Sequence, residues 1–137
     1  MKLTRLDLSM ILLCIFAIGF WLIAPQFPTE EEQRFLKEAN EPLQCADREQ
    51  CSKYWERATQ WVHKNTKYGV MTETNDVIET YNPIDGSKND KLSYKAFKKA
   101  GDHITVIDIE VDCNRWFDGC SPSPAGARAA FKQYVRY

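Results

Sequence analysis

The longest hydrophobic run comes first in the chain. From Leu8 to Ala24 it reads LSMILLCIFAIGFWLIA, uncharged throughout and clearly polar only at Ser9. Extended to Leu6 and Phe27, the segment reaches roughly 33 Å as a helix, enough for a hydrocarbon core about 30 Å thick. Three rivals compete with a membrane anchor. A run that is apolar all round at the start of a chain belongs in lipid rather than in a buried core. A cleaved signal needs small residues at its end, and Ala24-Pro25-Gln26-Phe27 is a poor site. A lipoprotein signal needs a small residue before its cysteine, and Cys14 follows Leu13 in mid-run. The expectation is an uncleaved transmembrane anchor over residues 6–27, with Trp21 at its outer interface. Lys2 and Arg5 precede the run and Glu30-Glu31-Glu32 follows it, so the positive-inside bias keeps residues 1–5 cytoplasmic and exports the rest.

After Pro28 the pattern turns amphipathic. Thr29-Glu30-Glu31-Glu32 has the spacing of a capping box and predicts a short acidic helix to about Glu38. Pro42 then separates that helix from the domain. Residues 28–44 read as an acidic stalk or linker, and residues 45–137 as the exported domain. From Glu49 to about Thr66, Cys51, Tyr54, Trp55, Ala58, Trp61 and Val62 recur at steps of three and four, the mark of an amphipathic helix. Glu56, Arg57, Gln60, His63 and Lys64 fall on its other side.

Two hairpins come next. Tyr68–Glu73 and Val77–Tyr81 flank Thr74-Asn75-Asp76, and their β-branched residues favour strands whose register stays open. A loop marked by Asn82-Pro83 and Asp85-Gly86 runs to Asp90. In the second hairpin, Gly101-Asp102 is a turn signal with glycine first. Pairing Ala100 with His103 then sets Leu92, Tyr94 and Ala96 opposite Val111, Ile109 and Ile107. The other face places Lys95 opposite Asp108 and Lys91 opposite Asp112, so hydrophobic pattern and charge agree on one register.

The last element starts at Ser123-Pro124, an N-cap followed by proline at the first helical position. Ala127, Ala130, Phe131, Tyr134 and Val135 carry the helical spacing onward. The expected class is α+β in the order α-β-β-β-β-α, with a four-stranded antiparallel sheet covered on one face by two helices. A domain of this size folds with a small core, so disulfides would help it.

Composition narrows the partners. A net charge of -1 argues against nucleic acid, which demands a concentrated excess of Lys and Arg. Cys14 lies in the anchor, while Cys45, Cys51, Cys113 and Cys120 form an even set in the exported part, as an oxidising compartment allows. Local pairing, Cys45–Cys51 and Cys113–Cys120, is expected, with a Cys51–Cys113 bridge as the rival. No Asn-X-Ser/Thr acceptor occurs, which fits a bacterial periplasm better than a secretory lumen. The expected location is the inner membrane, with the domain in the periplasm.

Candidate chemistry is thin. No Gly-X-Ser-X-Gly elbow is present, and His63 and His103 read as surface residues. Asp108, Glu110 and Asp112 alternate on one strand face and could serve as a calcium site or an acid/base pair. Cross-strand ion pairs with lysine explain them more simply. The loop Asp85–Asp90 is a fragment of a calcium loop without its full ligand spacing. The cysteine intervals suit disulfides rather than zinc, so neither a metal nor a cofactor is expected.

Binding residues stand out more. Cys113-Asn-Arg-Trp-Phe-Asp-Gly-Cys120 would staple Arg115, Trp116 and Phe117 into a short loop, and these types are enriched at binding hot spots. The alternative is that Trp116 folds back over the core. Phe97 and Val106 form a second candidate patch on the sheet face away from the helices. The expected function is binding rather than catalysis, as an accessory subunit or adaptor of an envelope membrane complex with a protein partner. A periplasmic immunity or inhibitor protein against a toxin is the alternative. An envelope enzyme working through Asp108, Glu110 and Asp112 comes third.

Overall fold

The computed structural model describes residues 29–83, 92–114 and 119–137. The anchor segment 6–27, the loop Asp85–Asp90, Lys91, Arg115, Trp116 and Phe117 lie outside the described residues. Eight elements run in order: α1 (Glu30–Asn40), β1 (Leu43–Cys45), α2 (Arg48–Asn65), β2 (Val70–Glu73), β3 (Val77–Thr80), β4 (Leu92–Ala100), β5 (Thr105–Cys113) and α3 (Pro124–Arg136). Among them, no helix is long and apolar enough to cross a membrane.

The strands form one antiparallel sheet in the order β1-β5-β4-β3-β2. The domain is α+β as expected, but with five strands and three helices rather than four and two. The added helix is the one expected in the stalk, and the added strand begins in the stalk and ends at Cys45, the first residue of the expected domain. Leu43 and Cys45 point inward and Gln44 outward, and this three-residue strand pairs Leu43 with Ile107. Three residues are too few for alternation to show in the sequence. Upstream, the Thr29–Glu32 capping box forms in both directions and starts α1. That helix packs along α3 instead of standing free.

Helices α2 and α3 cover one face of the sheet. Asp47 caps α2 by accepting from the Gln50 backbone N–H, and Ser123 caps α3 through Gly126. Ala58, Trp61 and Val62 of α2 and Ala127, Phe131 and Val135 of α3 meet Ile78, Leu92, Tyr94, Ala96, Ile107 and Ile109 of the sheet. Trp61 lies at the centre. Its ring stands edge-on to Tyr94 at 5.2 Å and to Phe131 at 5.4 Å, the arrangement aromatic quadrupoles favour. The expected position of Ala130 in this seam is corrected. Ala130 is exposed, while Ala129 and Lys132 are buried. The expected stripe considered only the sheet side of α3 and missed the side that receives α1.

The β4–β5 register also differs from the expectation. Ala100 pairs with Thr105, and Tyr94 faces Val111. Gly101 N–H donates to Ile104 O at 2.9 Å, so the turn is Asp102-His103, one residue later than the glycine signal suggests. A Cβ on Gly101 would lie 2.9 Å from that same Ile104 oxygen, which accounts for glycine before the turn. Lys95 therefore stands opposite Glu110, and Asp112 opposite Ser93. In the first hairpin Thr74 N–H donates to Val77 O, and an irregularity between Val70 and Thr72 shifts the register. Both Ile78 and Thr80 end up buried, and Thr80 Oγ1 accepts from the Tyr94 N–H at 2.9 Å.

Both local disulfides are present. Cys45–Cys51 ties β1 to the first turn of α2 across 5.2 Å between Cα atoms, and Cys113–Cys120 joins the end of β5 to the approach to α3 across 6.0 Å. These separations are ordinary for a bridge.

Candidate functional site

The sheet face away from α2 and α3 is built by alternation. Odd-numbered residues of β4 and even-numbered residues of β5 point there, because Phe97 pairs with Asp108 and Lys99 with Val106. Phe97 and Val106 are diagonal neighbours on this face, and both are half-buried. Val77 of β3 lies directly opposite Phe97 and extends the strip by one position. Sequence alone does not place Val77 there, because the register of the first hairpin is open. The strip is narrow. Lys95, Lys99, Asp108 and Glu110 surround it on the same two strands, so its apolar area is small.

The acidic strand separates into unlike environments. Asp108 Oδ1 accepts from the Ile109 backbone N–H at 2.9 Å and from Lys132 Nζ at 3.1 Å. Glu110 and Asp112 are exposed. Lys95, across from Glu110, forms its ion pair with Glu79 of β3 at 3.5 Å. The expected Lys95–Asp108 pair is thus replaced by two others, one on each side. Among the described residues, no group of three His, Cys, Asp or Glu side chains could hold a metal ion.

The histidines belong to different places. His63 Nε2 lies 2.9 Å from Glu73 Oε2, a half-exposed contact that ties the end of α2 to β2. His103 lies in the β4–β5 turn. It lines an open cleft of about 740 Å³ between that turn and the start of α2. Inside this cleft Lys98 Nζ stands 5.4 Å above the Trp55 ring and 3.3 Å from Asp76 Oδ1, so its cation is already engaged. A second cleft of about 920 Å³ lies between α2 and the C-terminal turn of α3, bordered by Arg57, Gln60, Tyr134 and Tyr137. Arg57 donates to Val135 O there at 3.2 Å, a cation at a helix C-terminus. Lys64 donates to the Tyr134 hydroxyl at 2.8 Å.

Of the residues singled out for binding, the structure describes Phe97 and Val106 and brings them together. Arg115, Trp116 and Phe117 fall outside the described residues, and only the bridge that encloses them is in view. No protein-family model matches the chain, and no curated protein or solved structure matches it either.

Proposed function

We propose that the chain is a single-span membrane protein whose disulfide-bonded domain lies outside the cytoplasm and acts by binding a protein partner, as an accessory subunit or adaptor of an envelope membrane complex. The uncharged run from Leu8 to Phe27, directly ahead of a domain with two bridges, carries this reading. The described polar groups supply less for chemistry than for structure. Asp108 is held by a buried lysine, His63 by a glutamate and Lys98 by an aspartate.

Two experiments test it. Export reporters fused after Glu41 and at Tyr137 should both report the far side of the membrane, with the chain in the membrane fraction. A shortened, soluble periplasmic chain would show a cleaved signal instead. Crosslinking in intact membranes should capture one constant membrane partner, and its absence would remove the adaptor role.

A further inference from the structure

Helix α1 has an apolar side that α3 does not finish covering. Ala39 is buried against the domain. Phe35 lies one turn and Leu36 three residues before it, so all three share a side of the helix. Phe35 and Leu36 are nonetheless each 42% exposed.

The chain ahead of α1 says what lies nearby. Between Phe27, where the uncharged run ends, and Glu30, where α1 begins, there are only Pro28 and Thr29. Three Cα steps reach at most about 11 Å, and Leu36 stands about 9 Å further along the helix. The polar layer on each side of a bilayer is itself roughly 5–8 Å thick. Leu36 is therefore within about 20 Å of Phe27, and it reaches that layer where α1 lies along the bilayer surface rather than along its normal.

Nor can α1 swing away. Lys132 Nζ donates to Ala39 O at 2.9 Å, Gln133 Nε2 donates to Glu38 Oε2 at 2.9 Å, and Arg136 faces Glu41 at 3.6 Å. With the proposed anchor in place, a helix joined to it by two residues and clamped at its other end to α3 keeps the domain beside the membrane.

We infer that Phe35 and Leu36 rest on the lipid surface of the bilayer that holds the anchor. The inference rests on the proposed anchor. Glu30, Glu31 and Glu32 sit nearest the membrane end and oppose anionic headgroups, so the contact is apolar and suits zwitterionic lipid.

The test uses the full chain in phosphatidylcholine vesicles, with Cys14→Ser and the four remaining cysteines left bridged. An environment-sensitive dye is placed at Leu36→Cys, at Phe16→Cys within the anchor, or at Met71→Cys, an exposed residue on the opposite edge strand. An apolar face sunk about 5–10 Å into the boundary comes within reach of a shallow doxyl-lipid quencher, so emission at 36 should fall about twofold. Emission at 16 should fall with a deep quencher, and emission at 71 should respond only to aqueous iodide. Quenching at 16 without quenching at 36 overturns the lipid contact and leaves the anchor standing. No quenching at 16 overturns the anchor, and the contact with it. A label at 36 that neither lipid quencher nor iodide reaches is covered by protein, a second copy or a partner, and that also overturns the inference.

Discussion

Lys132 of α3 and Asp108 of β5 meet at 3.1 Å, Nζ to Oδ1, with the lysine side chain 1% exposed and the aspartate 36%. The same ammonium donates to Glu41 O at 2.6 Å as well as to Ala39 O. Three oxygens from a strand, a helix end and the residue beyond it take the three protons of one lysine. Ala39 O is one of the orphan carbonyls at the end of α1, where a cation also meets the favourable end of the helix dipole. The buried charge thus joins three elements at one point.

Removing that charge should be the most damaging polar change in the domain. Lys132→Met leaves two carbonyls and a carboxylate without their donor and is expected to cost about 3 kcal/mol in urea unfolding. Asp108→Asn leaves the ammonium two acceptors and a half-exposed neighbour, and should cost only about 1 kcal/mol. A Lys132→Met protein within about 0.5 kcal/mol of the parent would mean that the ammonium does not join these elements in solution.

Double-mutant cycles can read the sheet register directly. Lys95 and Glu79 should couple by about 0.2–1 kcal/mol, the range for exposed cross-strand charges. Lys95 and Asp108 should couple more weakly than that pair, because they are only diagonal neighbours, with Phe97 opposite Asp108 and Lys132 holding its carboxylate. The reverse pattern would restore the turn at Gly101-Asp102.

Trp61 is the core residue whose truncation should matter most. It contacts both helix α3 and strand β4 through edge-on rings. Trp61→Ala is expected to lower stability by about 3–5 kcal/mol. Trp55, half-buried beside Lys98, should lose less. Equal losses would contradict the placement of Trp61 at the centre.

The two bridges should differ in weight. Each closes a short loop, and opening Cys113–Cys120 by paired alanine substitution should cost about 2.5 kcal/mol in the chain-entropy account. Opening Cys45–Cys51 should cost more, since Cys45 is only 2% exposed and packs in the core. Paired alanine variants compared in denaturant would decide the order.

Much of this architecture is legible in the residues, for reasons that also explain the misses. Ala58 and Val62, or Phe131 and Val135, recur at helical steps because they face one layer of neighbours. The caps at Thr29, Asp47 and Ser123 are local chemistry, and the capping box at Thr29 is visible in four consecutive residues. The hairpin register is harder. Moving its turn by one residue changes every partner but preserves which side chains point inward, so Tyr94 and Ile109 are buried either way. Hydrophobic pattern cannot distinguish two registers of the same parity. Charge pairing favours one of them, but β4 has a neighbour on each side, and Lys95 pairs with the other one. Lys132 escapes notice because a lysine signals a surface, and its three acceptors come from residues distant in sequence. The candidate site is legible in part. Phe97 and Val106 follow from alternation alone, whereas Val77 requires the register of a hairpin whose irregularity no residue announces.

The short strand β1 has one more implication, for how the protein fails. Its three residues occupy only the Thr105–Ile107 stretch of β5. A strand so short would ordinarily detach first, leaving backbone amides on β5 open to another chain, and such edges seed aggregation. The bridge to Cys51 changes the order of events. Because α2 also carries Trp61, β1 cannot drift away without dragging on the centre of the core. Local fraying is thereby converted into global melting, and a partly opened, self-associating form stays scarce for as long as the thiols stay oxidised. A reducing environment would therefore reveal itself first as clumping, before any loss of helix.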